Sequence, residues 1–123
     1  MTPLQVVDSS GWLEYFADTK RAKLFAPAIE DTARLIVPVL TVYEVFRKFL
    51  RERGETDALQ AASAMRSGRV IDLDTSLALE AARFDLPLAD SLIYATARRH
   101  DAVLWTQDKD FEGLPGVRYF PRK

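Results

Sequence analysis

Short apolar runs alternate with helical segments along the whole chain, and this order restricts the fold more than any other feature of the sequence. Parallel strands need long crossover connections, which are usually helices that cover both faces of the sheet. We therefore predict an α/β fold with a central parallel sheet covered by helices on both faces. The apolar runs predict strands at 4–7, 34–37, 70–73, 102–105 and, less strongly, 117–120.

The segments between these strands carry helical patterns. Thr41 is a candidate N-cap for the helix after the second strand, and Gly54 is a candidate residue for ending it. The other helices are predicted near 12–16, 20–29, 56–65, 75–84 and 87–100. No low-complexity segment, linker or repeat interrupts this order, so we expect one domain over residues 1–123.

Composition excludes several classes of protein. The chain has no cysteine, so it has neither disulfides nor thiolate metal sites, which is compatible with a cytoplasmic location. No apolar stretch approaches the roughly 20 residues of a membrane span, and no secretory signal is visible. The net charge is −1, so any nucleic acid must bind to basic residues that are concentrated locally.

Four carboxylates stand where the predicted elements change. Asp8 and Asp108 follow the first and fourth strands, Glu44 begins the helix after the second strand, and Asp90 begins the last long helix. Ligands of open parallel sheets bind beyond the carboxyl ends of the strands. If the fold gathers these acids there, a hard divalent cation such as Mg²⁺ or Mn²⁺ is the expected counter-charge.

Local structure offers an alternative role for two of these acids and for their neighbours. Asp8 is also a good N-cap residue, and Asp108 and Asp110 also suit a turn. The spacing of Asp108 and Asp110 would equally let one bind a metal directly and the other through water. Ser10 and Thr106 flank two of the acids, where they can orient a carboxylate or make ordinary turn hydrogen bonds.

Glu44 fits a surface position by periodicity. It lies nearly opposite the apolar side of its helix, beside three basic residues. With Lys48 at i+4, it is typical of a solvated ion pair worth a few tenths of a kcal/mol. The basic face itself is typical of a solvated surface. Its residues are Arg47, Lys48 and Arg51.

Asp90 is the opposite case, because its helical neighbours Ile93, Tyr94 and Ala97 form a largely apolar face with no cation. Burying an unpaired charge costs several kcal/mol, which favours a functional role for Asp90. Other chemistries find little support. The single histidine, His100, and the absence of cysteine disfavour zinc sites and Ser–His–Asp or Cys–His catalysis.

Four segments along the chain carry the four acids: Val7–Ser10, Thr41–Val45 (with Glu44), Leu88–Ala97 and Thr106–Phe111. In this order they resemble the PIN-domain nucleases, and among them the VapC toxins of bacterial toxin–antitoxin pairs. The resemblance implies an α/β/α sandwich and an acidic Mg²⁺ or Mn²⁺ site lined by Asp8, Glu44, Asp90 and Asp108. It also implies endoribonuclease activity, a homodimer and neutralisation by a small VapB-like antitoxin.

This resemblance leads to a mechanistic hypothesis. Asp8 and Asp90 would bind a first metal directly or through water, and Asp108, helped by Asp110, would complete that site or hold a second ion. Glu44 would position or deprotonate the attacking water. Arg47, Lys48 and Arg51 would hold the phosphate backbone of the RNA without reading its bases. In-line attack by water would leave a 5′-phosphate and a 3′-hydroxyl.

Two alternatives remain open from the sequence. The first is a degenerate PIN domain that binds RNA or a protein without cutting. It is favoured by the connection 85–87, which is shorter than is usual in the family and could displace Asp90. The second is a receiver-like phosphoacceptor domain, for which Asp72 or Asp74 and the terminal Lys123 would be the candidate residues.

Overall fold

The computed structural model describes residues 2–122, in which five short strands alternate with helices. The strands are β1 (Gln5–Val7), β2 (Ile36–Pro38), β3 (Arg69–Ile71), β4 (Val103–Thr106) and β5 (Val117–Tyr119). The α-helices are α1 (Ser9–Ala17), α2 (Ala22–Ile29), α3 (Val39–Glu52), α4 (Glu55–Met65), α5 (Thr75–Ala81) and α6 (Leu88–Arg99). Two short 3-10 helices span Thr32–Arg34 and Lys109–Phe111.

Every strand pairing is parallel, as the alternation of strands and helices predicts. β4 lies between β1 and β5, and β2 pairs with β3. A parallel bridge between Gln5 and Leu35 brings β1 next to β2. The strand order is therefore β3-β2-β1-β4-β5. The carboxyl ends of β1, β2 and β4 consequently meet at one edge of the sheet.

The two faces of the sheet belong to two different cores, because successive residues of a strand point to opposite sides. Val7 and Trp105 pack on one side with Trp12 from α1. Val6 and Leu104 pack on the other side with residues of α6. Full burial of such a side chain contributes roughly 1.5–3 kcal/mol. The predicted arrangement, with helices on both faces, is confirmed.

The start of α3 differs from the prediction. The helix begins at Val39, with Pro38 at the N-cap position, so Thr41 is not its cap. The buried Thr41 hydroxyl instead donates to the Pro38 carbonyl oxygen at 2.7 Å. Glu44 is therefore in the second turn of α3. The predicted end is confirmed at Gly54, which follows the helix with φ +96°.

Helix α1 packs closely against β1 and α2 at Gly11. A Cβ atom on Gly11 would lie 2.6 Å from side-chain atoms of both Phe25 and Val7, so only glycine fits this position without a shift. The close approach places the first turn of α1 directly beyond the carboxyl end of β1. Among the helices of residues 2–122, none is long and apolar enough to cross a membrane.

Candidate acidic metal site

Three carboxylates converge beyond the carboxyl end of β4. Asp90 comes from the first turn of α6, and Asp108 and Asp110 come from the segment that follows β4. One carboxylate oxygen from each of the three lies within 4.8 Å of the other two. The short connection 85–87 therefore does not displace Asp90 from this group. We call these three carboxylates, together with Asp8 and Glu44, the acidic edge. A donor set made only of carboxylate oxygens fits Mg²⁺ or Mn²⁺.

Asp8 is both a helix cap and part of this edge. The residue is 4% exposed, and its Oδ1 accepts hydrogen bonds from the Ser10 hydroxyl at 2.8 Å and from the Gly11 backbone N–H at 3.1 Å. Its Oδ2 accepts from the Thr106 hydroxyl at 2.6 Å. Ser10 and Thr106 thus orient one carboxylate from both sides. Within residues 2–122, the converging group consists of the other three acids, and Asp8 stands beside it.

Burial raises the pKa of the Asp8 carboxyl above its ordinary value, and the negative charge of Asp108 raises it further. The hydrogen bonds from Thr106, Ser10 and Gly11 act in the opposite direction, because they favour the charged form. The site thus holds a buried carboxyl whose ionisation is costly. This cost would be offset by a cation.

Glu44 does not form the surface ion pair that its spacing predicts. Lys48 pairs instead with Glu52, at 3.0 Å. Glu44 is half-buried and its Oε1 accepts a hydrogen bond from the Ser9 hydroxyl. Sequence patterns assigned no role to Ser9, because Ser9 and Glu44 are 35 positions apart and no local pattern links them. The only local signal for it was its place directly after Asp8.

The pKa of Asp90 depends on the charges of all four other acids of this edge. Burial raises the pKa of Asp90 to about 7, and the charges of Asp108, Asp8, Asp110 and Glu44, in that order, contribute to the rise. None of the ion pairs within residues 2–122 involves any of the five. The edge is thus a concentration of negative charge without a protein counter-charge.

A second residue that the sequence analysis missed is Gln107, between Thr106 and Asp108. The residue is 3% exposed and its side-chain amide group donates to Glu14 Oε2 at 2.7 Å. Its Oε1 accepts from the Arg21 guanidinium. A long polar side chain next to the buried strand β4 was the available signal, but its partners lie 93 and 86 positions away.

The family model described as PIN domain matches residues 6–117. The chain belongs to the PIN domain family. This match spans β1 to β5 and includes all five acids. No match is found among the curated proteins.

Solved structures share this PIN fold over nearly the whole chain. A toxin–antitoxin complex from Klebsiella pneumoniae has a TM-score of 0.79 at 24% identity, with 96% of this chain and 99% of that chain covered. DNA-bound VapBC from Salmonella typhimurium has a TM-score of 0.74 at 16% identity, with 98% of each chain covered. VapC20 of Mycobacterium tuberculosis, described as a sarcin-ricin loop cleaving toxin, has 0.74 at 23%, with 94% and 98% covered.

The basic face of this PIN domain lies beside Glu44. Arg47, Lys48 and Arg51 are exposed on α3, and the Arg47 guanidinium donates to the Tyr43 hydroxyl at 3.1 Å. With Glu44 and Glu52, these side chains line a shallow depression of about 420 Å³. Glu44 thus belongs to the acidic edge and also borders a positively charged surface on the same helix.

Asp74, one of the residues considered for the receiver-like alternative, has a structural role in the PIN fold. Asp74 caps α5, where it accepts from the Leu77 backbone N–H at 2.8 Å, and it pairs with Arg99 at 3.4 Å. Asp72 is exposed, and Lys123 lies outside the described residues. His100 lies within 2.9 Å of the Thr96 carbonyl oxygen through its Nδ1. Asp72, Asp74 and His100 are not members of the converging acidic group.

Proposed function

We propose that this PIN domain is a Mg²⁺- or Mn²⁺-dependent endoribonuclease and the toxin of a VapBC-type toxin–antitoxin pair. The observation that carries the proposal is the convergence of Asp90, Asp108 and Asp110 at the carboxyl edge of the sheet. Asp8 and Glu44 are near enough for their charges to raise the pKa of Asp90. The similarity in fold to a sarcin-ricin loop cleaving toxin supports RNA as the substrate class.

Asp90 and Asp108 are the proposed direct ligands, with Asp110 as a third donor. Asp8 is proposed to bind the cation directly or through water. Its Oδ1 accepts two hydrogen bonds from the protein, but its Oδ2 accepts only one and so keeps a lone pair for a ligand bond or a water molecule. When bound, the cation neutralises charge on the scissile phosphate and lowers the pKa of nearby water. The raised pKa of Asp90 means that this carboxyl must lose its proton before it can serve as a ligand.

Glu44 is the proposed group that orients and deprotonates the attacking water. The Ser9 hydroxyl fixes one carboxylate oxygen of Glu44, which leaves the other for a water molecule. The water oxygen attacks phosphorus, its proton passes to Glu44, and the bond from phosphorus to the 3′ oxygen breaks. The products carry a 5′-phosphate and a 3′-hydroxyl, the latter after the leaving oxygen takes up a proton from solvent.

The partners follow from the same comparison. Arg47, Lys48 and Arg51 are proposed to hold the RNA backbone, since basic side chains beside an active site bind phosphates without reading bases. The structures with toxin–antitoxin descriptions support a small VapB-like antitoxin as protein partner. We further propose a homodimer that acts in the cytoplasm.

The decisive experiment incubates purified protein with a defined RNA pool in Mg²⁺, Mn²⁺ or EDTA. Asp90→Asn should abolish cleavage while the fold, followed by circular dichroism, remains. The matched control is Asp101→Asn, because Asp101 is exposed before β4, at the opposite end of the sheet, and its φ of +52° suits asparagine. Cleavage that persists in EDTA would rule out the metal mechanism.

The same experiment separates the alternative of a non-catalytic PIN module. Such a module would bind RNA in a salt-dependent manner and would show no cleavage in either metal. Retained cleavage by Asp90→Asn would instead contradict the shared acidic site.

A further inference from the structure

At the end of β4 the chain passes through residues 106–108, a segment that we call the corner and that carries Asp108. The side chain of Gln107 is held in place at this corner by hydrogen bonds. Thr106 and Gln107 point to different sides of this corner. The Thr106 hydroxyl donates to Asp8 and accepts from the Asp108 backbone N–H at 2.9 Å, which ties the corner to the acidic edge. The buried Gln107 amide is tied to Glu14 and Arg21 on the other side.

These partners connect the corner to three separate parts of the fold. Glu14 belongs to α1 and Arg21 precedes α2. The Arg21 guanidinium also donates to the Phe120 carbonyl oxygen at 2.9 Å, beyond β5. The hydrogen bond from Gln107 is the largest cause of the lowered pKa of Glu14, so it is a bond to a charged acceptor. Such bonds are roughly twice as strong as neutral ones.

Electrostatic repulsion between carboxylates opposes the position of Asp108. Its carboxylate lies within 4.8 Å of carboxylate oxygens of Asp90 and Asp110, and like charges at this distance repel each other. Without a cation, this repulsion pushes the corner away from the edge. A restraint on the far side of the corner resists the push. The residue at that place, with both ends of its amide bonded, is Gln107.

We propose that Gln107 is a positioning residue for the metal site: held by Glu14 and Arg21, it keeps Asp108 within reach of Asp90 and Asp110 before a cation binds. The inference rests on the proposed function, because it concerns the same site. Residues that orient metal ligands typically contribute 10–100-fold to metal affinity or activity. Gln107 would therefore be preorganising the site without contacting the metal or the RNA.

The test measures Mn²⁺ affinity by calorimetry and, separately, the melting temperature of the metal-free protein. Gln107→Leu removes both hydrogen bonds, and Gln107→Glu places a carboxylate against Glu14. Combining Gln107→Glu with Glu14→Gln exchanges amide and carboxylate and so restores the pair. Gln60→Leu is the matched control, because Gln60 is exposed on α4.

We expect both single variants of Gln107 to weaken Mn²⁺ binding about 10–100-fold, while the exchanged pair recovers most of the affinity and Gln60→Leu changes nothing. A lowered melting temperature with unchanged Mn²⁺ affinity would overturn the inference, because it would show a purely structural role. An exchanged pair as weak as Gln107→Glu would overturn it too. If the unchanged protein binds no Mn²⁺, the proposed metal site itself is wrong, and this inference is rejected with it.

Discussion

Asp90 stands in the first turn of α6 with four other acids in electrostatic reach. Its pKa of about 7 means that near neutral pH a large share of the metal-free molecules carry it protonated. This proton reduces the negative charge of the acidic edge, as a bound cation would in the proposed enzyme. At the scale of single residues, the acidic edge is therefore destabilised by the same charges that make it a ligand set.

The stability of the metal-free protein should depend on this residue through pH. Because the folded pKa of Asp90 lies above its ordinary value of 3.8, the folded state binds more protons than the unfolded state between about pH 4 and 7. The contribution of Asp90 to stability is therefore present below pH 4 and is lost as pH rises through 7. Melting temperatures in EDTA at pH 5 and 8 measure this loss.

Asp90→Asn should raise the melting temperature at pH 8 by several degrees, about 2–8 °C for each kcal/mol of repulsion removed in a domain of this size. It should also flatten the pH dependence, with Asp101→Asn behaving as the unchanged protein does. An unaltered pH profile in Asp90→Asn would show that the repulsion lies elsewhere.

The hydroxyl of Ser9 gives a way to test Glu44 without removing its carboxylate. Ser9→Ala removes the hydrogen bond that orients Glu44, so cleavage should fall about tenfold or more while Mn²⁺ affinity stays the same. Ser63→Ala, on the exposed face of α4, is the control. Equal activity of Ser9→Ala and the unchanged protein would argue against Glu44 as the residue that positions water.

Local sequence rules identified the acids but not their partners. Lys48 has a glutamate at i−4 and another at i+4, and spacing alone could not decide between Glu44 and Glu52. The bonds of Ser9 and Gln107 span 35 and 93 positions, beyond any local pattern. The apolar helix face around Asp90 indicated that its carboxyl would be partly buried, and the structure places it half-buried beside Asp108 and Asp110.

Among the elements, α1 depends most on a single small residue. Its first turn lies so close to β1 and α2 that a Cβ on Gly11 meets Phe25 and Val7 at 2.6 Å. The Gly11 N–H also holds Asp8. Gly11→Ala should therefore destabilise the protein by roughly 1–3 kcal/mol, measured by urea unfolding, and should weaken Mn²⁺ binding. Unchanged stability would show that α1 can move away from the sheet at little cost.

The element α3 carries the proposed contact with RNA. In an Asp90→Asn background that does not cleave, Arg47→Ala and Arg51→Ala should each reduce the slope of log affinity against log salt by about 0.7. Lys48 should matter less, because Glu52 already pairs with it. Arg34→Ala is the control, since Arg34 precedes β2 at the opposite end of the sheet and pairs with Asp31. Equal slopes for all variants would place the RNA on another surface.

At the scale of the whole molecule, the sequence predicted which strands and helices form, but it did not predict the order of the strands in the sheet. The five strands and the helices on both faces followed from apolar runs and their spacing. The order β3-β2-β1-β4-β5 did not, because pairing between β1 and β4 depends on contacts about 98 positions apart. The start of α3 was also misplaced, since the Thr41 hydroxyl has a backbone acceptor at Pro38 that competes with capping.

Metal binding should stabilise the entire fold, because the proposed ligands belong to α6 and to the segment after β4. At a Mn²⁺ concentration 100 times the dissociation constant, the gain should be about 2.7 kcal/mol, seen as a rise in melting temperature that EDTA reverses. Asp108→Asn should show little of this rise. A rise of the same size in that variant would place the bound ion at another site.

The acidic edge takes Ser9 and Glu44 from the helical layer on one face of the sheet and Asp90 from the helix on the other. Its members are also spread from the first strand to the segment after the fourth. A chain that has folded only one of its two layers therefore has no assembled acidic site, however much helix it contains. During synthesis, the proposed nuclease centre would appear only in the last stage of folding, when both layers have closed on the sheet.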